Sequence, residues 1–186
     1  KGHIMDHTPR TRGNHPGIID YKGKSYCFGL NYDIFRMETS RHAEQRSVSA
    51  AEMTYNPDGT IQEIPYFQDC KLEQIGSFNP FRRVQAETMA WGYGLRTTRE
   101  NPSGPWNPTL FVTDIDDGEY ILLKGVDFGK GAQKFTASCS AHLYGGEMEL
   151  HLDDVEGPMI GKISVPNTKF KYQEFTTSLT NASGKH

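Results

Sequence analysis

No stretch of this sequence reaches the roughly 18 consecutive apolar residues that span a bilayer as a helix, so no membrane helix is expected. An excess of one charge is missing too. Lys and Arg number 20 against 23 Asp and Glu, for a formal net charge of −3. With no basic surplus to neutralise phosphates, no nucleic-acid partner is expected. Cysteine is scarce: Cys27, Cys70 and Cys139 lie far apart, one must stay unpaired, and none has metal-ligand spacing. Cys27 and Cys139 sit in apolar runs and read as small core residues. No signal peptide opens the chain. Lys1-Gly2-His3-Ile4-Met5-Asp6 lacks a start methionine and reads as mid-protein sequence, the alternative being a vector remnant. His3, His7 and His42 have no convergent spacing, and the His-Glu-x-x-His pattern is absent.

Turn-forming residues, by contrast, are plentiful. The 19 Gly and 10 Pro predict many turns and therefore many short strands. Aromatic residues make up 11% of a chain that is only 35% hydrophobic, a balance shared by sugar-handling proteins and ordinary small β-domains. Ile18–Tyr21, Lys22–Lys24 and Ser25–Leu30 predict a hairpin. Residues 45–53 are ambiguous by period. Asn56-Pro57-Asp58-Gly59-Thr60 is a turn, with Pro presetting φ and Asp-Gly supplying the positive-φ corner. Ile61–Ile64 alternates as a returning strand. Residues 14–64 thus read as about four strands in meander order, and 65–80 as a linker or strap. Beyond it, strands are expected at 84–89, 111–112, 119–126, 134–142, 147–153, 159–165 and 172–179, with an exposed loop over 99–108 and a turn at 116–118. This spacing, without a convincing helix, predicts an antiparallel β-sandwich.

The segments Arg83–Trp91, Asp114–Ile121, Lys124–Gly129, Gly157–Gly161 and Val165–Thr168 resemble carbohydrate-binding module family 6 in order and spacing. Gly13–Ile19, Arg46–Val48 and Tyr55–Gln62 resemble the end of a glycoside hydrolase family 43 domain, and Phe78-Asn79-Pro80-Phe81 resembles the joint between two such domains. The resemblance implies an all-β chain: the last blade of a five-bladed propeller over 1–64, a strap over 65–81, and a jelly-roll sandwich over 82–186 lacking its final strand or strands. A sandwich with an unpaired edge and a lone blade would both be incomplete, so the chain is expected to be a piece of a longer polypeptide or to be completed by another chain.

Family 43 enzymes are inverting hydrolases, using two carboxyl groups roughly 6.5–9.5 Å apart. In the family these come from earlier blades, so the acid and base are expected upstream of this chain. Glu156-Gly157-Pro158 mimics the acid's local motif but reads as a hairpin. Asp116-Asp117 and Asp153-Asp154 read as solvated turn carboxylates, because neighbours on a strand face opposite ways. The resemblance places His15 at the propeller channel, helping to hold a calcium-centred water cluster, and Arg46 in the sugar pocket, the plainer readings being a loop histidine and a surface arginine. In the sandwich it makes Tyr172 the second of two aromatic platforms for a sugar ring. The first platform's position holds Asp114; Trp106, on the proline-rich loop, is the candidate substitute, and Trp91 is a second candidate that reads rather as a core residue. Phe175 reads as a neighbouring core aromatic. Gln85 and Glu87 match a structural calcium site, the plainer reading of Glu87 being a strand-edge ion pair.

The implied function is the release of arabinofuranosyl or xylosyl units from arabinoxylan, by a protein that is secreted or at the cell surface. The alternative is a non-catalytic xylan-binding protein, and a third reading is an adhesion or structural sandwich. Asn181-Ala182-Ser183 is a glycosylation sequon, meaningful in a eukaryotic secretory host.

Overall fold

A computed structural model describes residues 2–5, 15–31, 47–67, 72–99 and 110–186. Every regular element among them is a β-strand. The chain divides into two compact units, Lys1–Gln74 and Ile75–His186. The division falls inside the 65–81 stretch.

The first unit is built on a three-stranded antiparallel sheet of β1 (Gly17–Tyr21), β2 (Lys24–Asn31) and β3 (Ser47–Met53). Tyr21 pairs with Lys24, leaving a two-residue turn. Lys22 and Gly23 both take positive φ, 50° and 78°, the backbone that matches the right-handed twist of a tight hairpin. In the β2–β3 ladder Cys27 opposes Ala51 and Ser25 opposes Met53. One face therefore carries Cys27, Ala51 and Met53 into a core with Ile64 and Phe67. Burial raises the Cys27 thiol pKa, which makes it a packing group and not a nucleophile.

The fourth strand expected at Ile61–Ile64 does not form. Tyr55 and Ile61 make one isolated antiparallel bridge, and Ile64 makes one parallel bridge to Met5. After the Asn56–Thr60 turn, Gln62 N–H donates to the Thr54 carbonyl and Ile64 N–H to the Ile4 carbonyl. The returning segment changes partner after two residues, so no ladder propagates.

Among its described residues the second unit holds five two-stranded antiparallel pairs. They use β4 (Trp91–Tyr93) with β7 (Tyr120–Leu122), β5 (Arg96–Arg99) with β6 (Leu110–Thr113), β8 (Asp127–Gly129) with β13 (Gly184–Lys185), β9 (Lys134–Cys139) with β12 (Gln173–Ser178), and β10 (Gly146–His151) with β11 (Met159–Val165). The strand expected at 84–89 is absent. Thr88 N–H turns back to the Gln85 carbonyl at 3.0 Å, and Val84 is exposed, so the alternation there has no buried face to hold it. The run expected over 119–126 splits in two. Gly125, at φ 65°, redirects the chain from the β4 partner to β8. Phe78 is stitched to that segment, its N–H on the Gly125 carbonyl at 2.7 Å and its carbonyl accepting from Asp127 N–H at 3.0 Å.

β11 sets the core. Its register on β10 shifts between Leu150, opposite Gly161, and His151, opposite Met159, so Ile160 is an extra bulged residue. The bulge re-phases the strand. Ile160 and Ile163, three apart, are both buried, as is Val165. Ile160 packs with Leu152 and Ala182, against Phe128, Ala132, Leu150 and Leu179. The β10–β11 hairpin closes over residues 152–158, where Leu152 N–H donates to the Pro158 carbonyl at 3.1 Å and Gly157 N–H to the Asp154 carbonyl at 3.0 Å. His151 sits at its mouth, Nδ1 2.8 Å from the Gly157 carbonyl and Nε2 3.2 Å from the Glu149 carboxylate. Two acceptors facing one ring favour its protonated form and raise its pKa.

Candidate functional site

Tyr172 stands at the end of the loop between β11 and β12, 49% exposed. Its ring meets Phe111 of β6 edge-on, with centroids 6.1 Å apart and planes at 74°. That contact props the tyrosine from one side and leaves much of it open, the arrangement of an aromatic platform.

The loop under Tyr172 is fastened to the β9–β10 loop through Thr168 and Ala141. Thr168 is buried. Its hydroxyl accepts from Ala141 N–H at 2.9 Å and donates to the Ala141 carbonyl at 3.1 Å. Thr168 N–H and Phe170 N–H reach the same carbonyl at 3.0 and 3.3 Å. Asn167 adds a turn, its Oδ1 accepting from Lys169 N–H at 2.8 Å. Replacing Thr168 with Val would leave the Ala141 N–H without its acceptor in a site that water reaches poorly. A loss of about 1–3 kcal/mol is expected, and Thr168→Ser should recover most of it. Urea denaturation of the three proteins checks this, and a Thr168→Val midpoint equal to wild type would show that the clamp is slack.

Asp114 stands where the resemblance expects the first platform. Asp114 lies just past β6 at φ 55°, its carboxylate 3.4 Å from Arg96 Nη1. It offers a charged group and not a flat ring. Trp91 lies half-buried on β4, opposite Leu122 of β7. Trp106 and Arg46 lie outside the described residues, as do His7, His42 and Cys70. Phe175 is partly buried in β12, opposite Ala137 of β9. His15 is exposed just before β1, in the first unit, while Tyr172 belongs to the second.

Gln85 and Glu87 fall in one turn, Glu87 half-buried and Gln85 exposed. Amide and carboxylate oxygens are the donors calcium takes, so the pair fits in kind. In number it falls short of the roughly six to eight oxygens required. Among the described residues no three His, Cys, Asp or Glu side chains converge on a metal position, so backbone carbonyls would have to supply most of the shell.

The carboxylates set aside as non-catalytic are at turns. Asp116 and Asp117 are exposed beside Gly118. Asp153 takes φ 67° and pairs with His186 Nδ1 at 2.8 Å. Asp154 Oδ1 accepts from Glu156 N–H at 3.1 Å in the β10–β11 turn.

Sequence reasoning missed Phe111, Thr168, His142 and Phe170. His142 and Phe170 stack in parallel, 4.3 Å apart at 6°. The Asn167-Thr168 pair was the one local signal, since both residue types form side-chain-to-backbone turns.

This chain is 30% identical over 193 residues to the arabinoxylan arabinofuranohydrolase of Paenibacillus polymyxa, covering 100% of this chain and 30% of that protein. It spans between 28% and 30% of the length of the curated relatives it matches. Among solved structures, the family 43 arabinoxylan arabinofuranohydrolase of Bacillus subtilis in complex with cellotetraose gives a TM-score of 0.83 at 30% identity, over 100% of this chain and 39% of that one. A family 6 carbohydrate-binding module of Clostridium cellulolyticum in complex with xylose gives 0.53 at 26% identity, over 59% of this chain and 82% of that one. Residues 85–186 match the sequence profile described as carbohydrate binding module (family 6), and the chain belongs to that family.

Proposed function

We propose that this chain serves a hemicellulose-degrading glycoside hydrolase that releases arabinofuranosyl or xylosyl units from arabinoxylan by an inverting mechanism. Its share of the work is to hold the polymer. The observation that carries this reading is the half-exposed ring of Tyr172, propped by Phe111 on a clamped loop of a family 6 module. A pyranose presents an apolar C–H face that stacks on such a ring, while its hydroxyls take polar partners at the rim. The similarity to arabinoxylan arabinofuranohydrolases runs through the first unit as well. That supports His15 and Arg46 as residues lining the active site, with the acid and base carried elsewhere in the polypeptide. A polymeric substrate places the work at the cell surface or beyond it, which fractionation of the source cells checks.

Affinity electrophoresis in gels containing arabinoxylan tests the binding role. Retardation is expected in arabinoxylan and not in a gel containing dextran. Equal mobility in all gels, for a chain that is folded by circular dichroism, would refute it. A calcium ion, if bound, would be held by Glu87 and Gln85 with backbone carbonyls and would supply rigidity to that turn. Thermal melts should then be higher in calcium than in chelator for wild type but not for Glu87→Gln, and identical melts would dismiss the ion.

A further inference from the structure

Phe170 is 70% exposed and sits at φ 60°. A bulky aromatic residue in the left-handed region is a genuine outlier, and such strain persists only where the surroundings over-determine it. Here they do. Phe170 N–H is held by the Ala141 carbonyl, Lys169 before it is also at positive φ, 55°, and the ring lies flat on His142. One face of the phenylalanine is covered by imidazole, so its exposure resides on the other face and the edges. Just after His142 in the chain, Leu143 is exposed at φ 59° and Tyr144 is 95% exposed. The two clamped loops thus hold a second flat, outward-facing ring two residues from Tyr172, a chain distance of at most about 7 Å.

We propose that the Phe170–His142 stack is a second sugar-stacking platform, which takes the xylosyl unit next to the one on Tyr172 in a β-linked xylan chain. The inference rests on Tyr172 being a sugar platform and extends that site along the same loop. Phe170 supplies the apolar face, and the ring nitrogens of His142 supply hydrogen-bond partners for hydroxyls at its edge. The occupant is a neutral saccharide chain because this exposed ring follows Tyr172's by two residues on the same loop of a carbohydrate-binding module. The left-handed backbone at Phe170 then has a use: it turns the ring out of the core and onto that surface.

Calorimetric titration with xylose and xylohexaose decides the matter, using the whole 186-residue chain in wild-type, Phe170→Gly, His142→Ala and Tyr172→Ala forms. Glycine accepts φ 60° without strain, so Phe170→Gly should melt no lower than wild type. It should keep the affinity for xylose and lose about tenfold for xylohexaose, the scale of one aromatic contact. His142→Ala should shift the same way by less. If Phe170→Gly binds xylohexaose like wild type while Tyr172→Ala fails with both sugars, the second platform is refuted and the first stands. If wild type binds neither sugar, the sugar reading fails and the second platform with it. If sedimentation shows a wild-type dimer that Phe170→Gly converts to monomer, the patch is a self-association surface and the proposal is overturned.

Discussion

Gly145→Ala is expected to destabilise the module by about 2–5 kcal/mol. Two separate costs meet at this residue. Its φ is +70°, where an L side chain costs about 1–2 kcal/mol. A Cβ there would also overlap the Val165 carbonyl oxygen and come within 3.0 Å of Pro166 C and Cα. These are backbone atoms at the end of β11, so the strand itself must move, at about 1–3 kcal/mol. A fall in Tm of at least about 8 °C follows. Gly118→Ala separates the terms, since Gly118 has φ +81° but nothing within 4 Å of its would-be Cβ. It should show the conformational cost alone. Differential scanning calorimetry of both variants checks the pair. Equal losses would mean that the β10–β11 entrance yields freely.

Ile160→Ala is expected to cost about 2–5 kcal/mol, the range for truncating a buried isoleucine, while Met159→Ala should stay within about 0.5 kcal/mol. The contrast follows from the bulge. Strict alternation back from Val165 and Ile163 would turn Met159 inward. With Ile160 as the extra residue, Ile160 is 6% exposed and Met159 is 53% exposed. Equilibrium urea denaturation of the two variants reads the register directly. A larger loss at Met159 than at Ile160 would place the bulge elsewhere.

Local turn chemistry was legible where it had a single reading. Lys22-Gly23 and Asn56-Pro57-Asp58-Gly59 announced their turns, and the flanking strands of the first hairpin followed. β11 emerged over Met159–Val165, although the sequence did not show that a bulge interrupts its alternation. Val84–Met89 has the same alternation and no strand, because period alone does not reveal whether a partner strand and a buried face are available. β5, the partner of β6, was hidden for the opposite reason: Arg96-Thr97-Thr98-Arg99 is exposed throughout and carries no apolar signal. At the candidate site, Tyr172 was found through family resemblance and is placed on an exposed loop. Phe170 was not, since nothing in its residue type foretells a left-handed backbone. That conformation comes from the Thr168–Ala141 clamp, a contact across 27 residues.

The central claim is that Tyr172 holds a sugar ring. The measurement that tests it most directly is the mobility of Tyr172→Ala beside wild type in an arabinoxylan gel, with circular dichroism confirming that both are folded. Wild type retarded and Tyr172→Ala running free is the expected result. Retardation of Tyr172→Ala equal to that of wild type would contradict the account.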